Sequence, residues 1–320
     1  MSAVLHARGR LVRLLVALMA TLVVAPLAHA DTTGKAIPPQ NYYLALGDSL
    51  AYGYQQAKFN AEFGATHTID PSTFNTGYAD DFLAALTAAF PDKGTQLIND
   101  GCPGETSDSM IHANPAGTCA NGGFPQVWLH HPYAAGGPQL ADAVAFLNAH
   151  PKKVTPITVN IGANDLLATN RACASHFGDG TVFTTIYPSA LVCVGGEAPH
   201  TIGHIAQNLG VILTALREAA PKAEIIVLGL YNPNFIQPGA DALIENGFNP
   251  TMAGVAAQFG AFFADPFPAI NVGIGSPAEF GSVCTQIAIC TPLQDIHPFD
   301  NGYQAIANVL FDASGLGSLN

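Results

Sequence analysis

Ser49 is the first residue whose type and position suggest chemistry. It ends the tripeptide Gly47-Asp48-Ser49, which directly follows an apolar and aromatic run at residues 42–46. Such a run predicts a buried strand, and the carboxyl end of a strand in an open α/β sheet is where ligands bind. A hydroxyl at this point is a candidate nucleophile. Taken alone, the tripeptide fits a simple helix cap better, so the residues downstream decide.

A serine nucleophile needs a base to take its proton, and His297 is the best candidate. It lies in a turn before a predicted C-terminal helix, and Asp295 stands two residues earlier. A carboxylate at that spacing can orient the imidazole and stabilise its charged form. The alternative is a loop histidine that only caps the last helix.

Ester hydrolysis also needs hydrogen-bond donors directed at the developing oxyanion. The candidates are the backbone N–H groups of Ser49 and Gly104 and the side-chain amide of Asn164. Gly104 follows a second predicted strand and Asn164 a third, and parallel strands end at the same edge of a sheet. Each residue alone fits an ordinary turn, and their convergence at one edge is the basis of the functional hypothesis.

Four sequence blocks resemble the SGNH hydrolases, also called GDSL lipases and esterases. They occur in the family's order: Gly47-Asp48-Ser49-Leu50, then Asn99 through Gly104 to Thr106, then Gly162-Ala163-Asn164-Asp165, and finally Asp295-Ile296-His297-Pro298 followed by Gly302-Tyr303. The resemblance implies Ser49 as nucleophile, His297 as base, and Ser49 N–H, Gly104 N–H and Asn164 as oxyanion donors. It also implies a three-layer flavodoxin-like fold with its site at the carboxyl edge.

The sequence departs from the family at one position. In much of the family the acid lies three residues before the histidine, where this chain has Gln294. Either Asp295 orients His297, which we favour, or a main-chain carbonyl near Gln294 does so and the site is a dyad. Asp48 is expected to brace the turn rather than to take part in the reaction.

Predicted strands alternate with predicted helices along the chain. This order is typical of the α/β class, and we expect a parallel sheet of about five strands with helices on both faces. The strands are predicted at residues 42–46, 95–99, 154–161, 224–230 and 261–264, and the main helices at 77–90, 138–150, 202–220, 249–262 and 302–311. Residues 55–76 and 271–292 are interpreted as loops, and 168–200 as an insert.

The first thirty residues have the pattern of a secretory signal peptide. A basic start with Arg8, Arg10 and Arg13 precedes an uncharged stretch at 14–27, and Ala28-His29-Ala30 offers a cleavage site. The alternative, a retained membrane anchor, is disfavoured by the short apolar run and by Pro26. We therefore expect a secreted protein of one domain, residues 31–320, with no stable membrane insertion after cleavage.

The net charge limits the binding partners of the protein, and the cysteines predict disulfides. Three of the 11 Lys and Arg lie before residue 31, which leaves 8 against 23 Asp and Glu after it. The resulting formal charge of −15 disfavours nucleic acid and anionic membranes as binding partners. The cysteines, even in number and all after residue 30, predict disulfides. Six cysteines allow 15 pairings, and pairing of neighbours is the simplest: Cys102–Cys119, Cys173–Cys193 and Cys284–Cys290.

No cofactor or metal is predicted from the sequence. Nucleotide-binding glycine patterns, Cys-x-x-Cys and His-Glu-x-x-His do not occur, and the absence of Gly-x-Ser-x-Gly argues against an ordinary α/β-hydrolase. The adjacent His130 and His131 are interpreted as surface or cleft-wall residues without a third metal ligand nearby.

The leading hypothesis is a secreted serine esterase or lipase that acts on ester or lipid small molecules through an acyl-enzyme on Ser49. The alternatives are a deacetylase of acetylated polysaccharide with the same site and, in another class, a secreted binding protein that lost catalysis. Four aromatic residues are candidates to line an acyl groove or to stack on sugar, with plain packing as the alternative: Phe59, Phe63, Trp128 and Tyr133.

Overall fold

The computed structural model describes residues 36–112, 119, 124–133, 137–176 and 188–319. They belong to one compact unit, Thr33–Asn320. The predicted signal peptide, residues 1–30, lies outside the described residues, so cleavage after Ala30 stays a prediction. Among the described residues, the helices are too short or too polar to cross a bilayer.

A five-stranded parallel sheet forms the middle layer. Its strands are β1 (Tyr42–Gly47), β2 (Gln96–Asn99), β3 (Val154–Asn160), β4 (Ile225–Leu228) and β5 (Phe262–Ala264), in the order β2-β1-β3-β4-β5. Leu44 of β1 lies opposite Ile157 of β3, in the centre of the sheet. The connection that follows β1 leads to the β2 edge of the sheet, whereas the connection that follows β3 leads toward β4 and β5. Such a change of direction between two neighbouring strands makes a crevice at their carboxyl ends.

Helices cover both faces of this sheet. They are α1 (Ser49–Tyr52), α2 (Gln56–Thr66), α3 (Tyr78–Ala89), α4 (Ser107–Ile111), α5 (Gln139–Ala149), α6 (Ala163–His176), α7 (Pro188–Ala219), α8 (Ala240–Leu243), α9 (Asn249–Gln258), α10 (Phe267–Ile270), α11 (Pro277–Gln286) and α12 (Asp300–Ser314). Helices α5, α7 and α9 pack on the face that buries Leu44. Helices α3 and α12 pack on the opposite face, which buries Tyr43, because successive strand residues point to opposite sides.

The predicted α/β class and the five parallel strands are confirmed, and the two loop interpretations are corrected. Helix α2 lies within residues 55–76 and α11 within 271–292, while the 168–200 insert contains the end of α6 and the start of α7. Helix α2 has no buried residue, so it lacks the apolar period that indicates a helix. The start of α7 was missed because Gly195, Gly196 and Pro199 are helix breakers in the sequence.

The three disulfides join the neighbouring cysteines, as predicted. They are Cys102–Cys119, Cys173–Cys193 and Cys284–Cys290, with Cα–Cα distances of 5.6, 5.7 and 5.3 Å. The second of them links the last turns of α6 covalently to the first turns of α7.

Candidate active site

The turn after β1 is built so tightly that only glycine fits at residue 47. Gly47 has a φ of +149°, and a Cβ atom there would lie 2.3 Å from the carbonyl oxygen of Asn160 on β3. The side-chain amide of Gln139 then satisfies both backbone groups of Gly47: its Oε1 accepts from the N–H at 2.7 Å and its Nε2 donates to the carbonyl at 2.9 Å. The backbone that leads to Ser49 is therefore fixed from two sides.

Asp48 completes this turn as the cap of α1. Its Oδ1 accepts a hydrogen bond from the Leu50 N–H at 2.9 Å, which places Ser49 as the first residue of the helix. This is the bracing role that the sequence predicted for Asp48. Its Oδ2 is buried and accepts no hydrogen bond among the described residues, and burial raises the pKa of Asp48 to about 7.

Ser49, His297 and Asp295 form a continuous chain of hydrogen bonds. The Nδ1–H of His297 donates to Asp295 Oδ1 at 2.5 Å, which leaves Nε2 to accept from the Ser49 hydroxyl at 2.8 Å. Ser49 and His297 are 248 positions apart, so the fold alone brings them together. This is the arrangement in which imidazole can take a serine proton while a carboxylate holds the ring.

Asp295, and not a main-chain carbonyl, is the acceptor at His297 Nδ1. Gln294 has a left-handed φ of 48°, and this turn directs the carboxylate two residues before the histidine toward the ring. Although burial alone would raise it, the pKa of Asp295 is held below its ordinary value by the hydrogen bond and charge of His297 and by the Gln56 N–H, which donates to Oδ2 at 2.8 Å. The carboxylate therefore stays ionised.

Two tyrosines support the histidine. The ring of Tyr54 lies 4.8 Å from that of His297, centroid to centroid. The hydroxyl of Tyr231 donates to the carbonyl of Ile296 at 2.6 Å. Together they fix the plane of the imidazole and the backbone that carries it.

Gly104 and Asn164 line the same cavity as Ser49 and His297. Gly104 has a φ of +90°, which glycine adopts without strain. One amide hydrogen of Asn164 Nδ2 donates to the carbonyl of Glu105 at 2.9 Å. Within the part of the chain that the structure describes, the second amide hydrogen has no protein acceptor. The geometry thus leaves this donor for a ligand.

A contact between Ser107 and Asp165, which the sequence did not indicate, ties together the segments that carry Gly104 and Asn164. Asp165 accepts from the hydroxyl of Ser107 at 2.7 Å and from its N–H at 3.0 Å, and Asn208 donates to the same hydroxyl at 3.0 Å. The turn after β2 and the start of α6 are therefore held at a fixed separation. The third sequence block included Asp165, but nothing marked Ser107 as its partner, because serine and aspartate at helix starts are common caps.

Glu105 follows Gly104 directly, and its side chain is buried. The side chain accepts a hydrogen bond from the Ser109 hydroxyl, and burial, with smaller contributions from the Asp48 and Asp165 carboxylates, raises the pKa of Glu105 to about 7. A large fraction of Glu105 is accordingly protonated at neutral pH. This limits the negative charge that lies close to the site of a developing oxyanion.

An apolar cavity of about 850 Å³ opens beside Ser49. One wall consists of α6 and α7, and the other of residues 230–244. A single π-helical turn, Ile244–Phe248, begins at the end of the second wall. Its apolar lining includes Leu50, Phe59, Phe124, Leu166, Leu167, Leu191, Val194, Leu230, Leu243 and Ile244. Of the four aromatic candidates from the sequence, Phe59 lines the cavity, whereas Phe63, Trp128 and Tyr133 pack together near the Cys102–Cys119 disulfide.

The adjacent histidines have separate partners. His130 Nε2 bonds with the carbonyl of Tyr52 at 2.9 Å, whereas His131 Nδ1 bonds with Asp100 Oδ1 at 2.7 Å and lies 3.5 Å from Asp142. The hydrogen bond with Asp100 raises the pKa of His131. The ligand atoms of His131, Asp100 and Asp142 lie within 4.8 Å of one another, so the expectation that no further metal-ligand type lies near the two histidines is wrong. A second group of ligand types contains Cys102 and Cys119, whose sulfurs are joined in a disulfide.

Comparison with known proteins gives one family. The model of the GDSL-like lipase/acylhydrolase family matches residues 45–305, a span that contains all five predicted site residues. The search of curated proteins gave no match.

Several solved structures share the fold. An extracellular lipase from Streptomyces rimosus is 18% identical, with 85% of this chain and 99% of that chain covered and a TM-score of 0.53. A putative GDSL-like lipase from Parabacteroides merdae is 16% identical (88% and 99% covered, TM-score 0.53). A catalytic mutant of an acetylxylan esterase from Geobacillus stearothermophilus is 14% identical (88% and 96% covered, TM-score 0.51). At these identities the likeness establishes the fold alone.

Proposed function

Since the chain belongs to the GDSL-like lipase/acylhydrolase family and is a carboxylic ester hydrolase, we propose that its reaction runs through an acyl-enzyme on Ser49. The observation that carries this proposal is the hydrogen-bonded chain from Ser49 through His297 to Asp295 at the opening of the cavity. The same chain argues against a binding protein without catalysis, because such a protein has no need for an oriented imidazole.

In the first half-reaction, Ser49 Oγ attacks the ester carbonyl while its proton passes to His297 Nε2. Asp295 stabilises the imidazolium that results. The N–H groups of Ser49 and Gly104 and the amide of Asn164 donate to the oxyanion of the tetrahedral intermediate. When the intermediate collapses, His297 gives its proton to the leaving alkoxide, and the acyl group remains on Ser49.

In the second half-reaction, water takes the place of the alcohol. His297 Nε2 removes a proton from the water, whose oxygen attacks the acyl carbonyl. The same donors hold the second oxyanion, and collapse returns the proton to Ser49 Oγ. The carboxylic acid leaves, and the free enzyme is restored.

We further propose that the acyl chain of the substrate is long. The cavity beside Ser49 holds about 850 Å³ and is mainly apolar, and each methylene buried there contributes about 0.8 kcal/mol. An acetyl group gains little from such a cavity. The walls therefore favour a lipase or long-chain esterase over a deacetylase of acetylated polysaccharide, even though an acetylxylan esterase shares the fold.

Secretion is part of the proposal. Three disulfides use all six cysteines, and disulfides persist in oxidising compartments. The pattern of residues 1–30 supports the same destination. N-terminal sequencing of the exported protein is expected to begin at Asp31.

The nucleophile is tested with an alkyl phosphonate that reacts with activated serines. Mass spectrometry of the treated protein should place the adduct on Ser49, with complete loss of activity. Ser49→Ala should be neither labelled nor active, while Ser318→Ala, at an exposed position near the C-terminus, should behave as wild type. Labelling at another serine would overturn the assignment.

The chain-length proposal is tested with p-nitrophenyl esters from acetate to palmitate and with acetylated xylan. We expect kcat/KM to rise with acyl length until the cavity is full. A maximum at acetate, with efficient deacetylation of xylan, would favour the deacetylase instead.

A further inference from the structure

One basic side chain lines the mainly apolar cavity. Arg171 lies on α6, seven residues after Asn164, and Leu167 lies between them on the same cavity surface. Seven residues are about two helical turns, or roughly 10 Å along the axis. Helix α6 thus presents an amide, an apolar side chain and a guanidinium in sequence, starting from the proposed oxyanion site.

The charge of Arg171 is not neutralised within the part of the chain that the structure describes. The ion pairs found there join other residues, and Arg171 itself is exposed. Lys58, in contrast, pairs with Asp300 at 3.1 Å, and Arg217 donates to three backbone carbonyls. Among the described residues that line the cavity, Arg171 is the one lysine or arginine, and the single carboxylate, Asp48, is buried in the β1 turn.

Building on the proposed function, we propose that Arg171 binds the phosphate of a zwitterionic glycerophospholipid whose ester carbonyl lies at Ser49. A guanidinium matches phosphate oxygens with two parallel hydrogen bonds. The spacing of about two turns suits a glycerol backbone that links the ester to the phosphate, while an acyl chain occupies the apolar part of the cavity.

The charge of the whole chain favours a zwitterionic headgroup over an anionic one. Residues 31–320 carry 8 Lys and Arg against 23 Asp and Glu, so an anionic lipid surface is repelled. A phosphocholine or phosphoethanolamine group has no net charge. Its phosphate contacts Arg171.

The test compares phosphatidylcholine with diacylglycerol of the same acyl chains, both in nonionic detergent micelles. Arg171→Ala should lower the ratio of kcat/KM for phosphatidylcholine to kcat/KM for diacylglycerol about tenfold, mainly through KM. Arg171→Lys should retain part of the preference, because it keeps the charge but loses the paired hydrogen bonds. Added salt should reduce the preference of the wild type and leave that of Arg171→Ala unchanged.

Lys222→Ala is the matched control. It removes the same charge at an exposed position before β4, at the edge of the sheet opposite the site. The control should keep the wild-type ratio. A lower ratio in Lys222→Ala would assign the effect to net charge and overturn the inference.

Three further outcomes separate the inferences. Equal loss on both lipids in Arg171→Ala, or no loss, would overturn the phosphate site and leave Ser49 as nucleophile. An Arg171-dependent preference for half-esters of dicarboxylic acids, without one for phosphatidylcholine, would also overturn it, since the anion would then be a carboxylate. If the wild type hydrolyses neither of the two lipids nor any aryl ester, the proposed function itself is contradicted.

Discussion

The two sides of the cavity are built by different physical means. The polar rim (Ser49, Gly104, Asn164, Asp295 and His297) is held by directional hydrogen bonds, such as the one that the backbone N–H of Gln56 donates to Asp295. The apolar wall (the cavity-facing residues of α6, α7 and 230–244) is held by side-chain packing and by the Cys173–Cys193 disulfide.

This difference separates two demands on the enzyme. Transition-state stabilisation requires donors and a base within a few tenths of an ångström, which hydrogen-bonded turns provide. Binding of an acyl chain requires only a dry volume, and packing tolerates changes of side chain there. Substitutions in the rim should therefore alter kcat, whereas substitutions in the wall should alter substrate preference.

The largest effect is expected from Asp295→Asn. An amide cannot stabilise the imidazolium and favours the wrong tautomer of His297, so kcat on a p-nitrophenyl ester should fall about 10³–10⁴-fold. KM should change little. A loss of less than tenfold would show that the carboxylate is dispensable, and the main-chain alternative near Gln294 would then be preferred.

Asn164→Ala should have the next largest effect. Loss of one oxyanion donor should lower kcat about 10²–10³-fold at nearly constant KM, measured by steady-state kinetics on the same ester. Asn308→Ala, exposed on α12, serves as the control and should keep the wild-type rate. An unaltered kcat in Asn164→Ala would remove this residue from the rim.

Glu105→Gln tests what burial of an acid next to Gly104 costs in stability. Burial raises the pKa of Glu105 from 4.5 to about 7, so the folded protein binds this proton more tightly than the unfolded chain. Stabilisation that is present below pH 4.5 is therefore lost as the pH rises through 7, with an upper bound of about 3 kcal/mol.

The measurement is the free energy of unfolding by urea between pH 4.5 and 8. Wild type should lose stability over this range relative to Glu105→Gln, and the difference should level off above pH 7 to 8. Parallel pH profiles for the two proteins would contradict the assignment of a raised pKa to Glu105.

The smallest effect, and one limited to selectivity, is expected from Leu167→Phe in the wall. The larger ring displaces about two methylenes of a bound chain, at about 0.8 kcal/mol each, so kcat/KM for palmitate relative to butyrate should fall about tenfold. Activity on butyrate should remain within about twofold of wild type, since the rim is untouched. An equal loss on both esters would mean that rim and wall are coupled.

The rim was predictable because its parts lie at ends of strands with a strong local pattern. The run at 42–46 and the glycine after it fix where Ser49 lies, and the short spacing of Asp295 and His297 marks the base. The supports of the rim were not predictable. Gln139 binds Gly47 across 92 positions and Asp165 binds Ser107 across 58, and neither residue type differs from an ordinary cap or surface residue.

The wall was hidden from the sequence for another reason. The start of α7 contains glycine and proline, which are poor helix formers, so the sequence predicts no helix in this part of the wall. The cavity therefore forms where local propensity and tertiary packing disagree, and only the assembled fold reveals its apolar lining.

The central claim is that a hydroxyl, an imidazole and three oxyanion donors surround one carbonyl at the rim. A crystal structure of the protein after reaction with a long-chain alkyl phosphonate tests it most directly. We expect a covalent bond from Ser49 Oγ to phosphorus, a phosphoryl oxygen about 2.7–3.1 Å from Ser49 N, Gly104 N and Asn164 Nδ2, and the alkyl chain inside the cavity. A phosphoryl oxygen that points away from Gly104 and Asn164, or an adduct on another residue, would contradict the account.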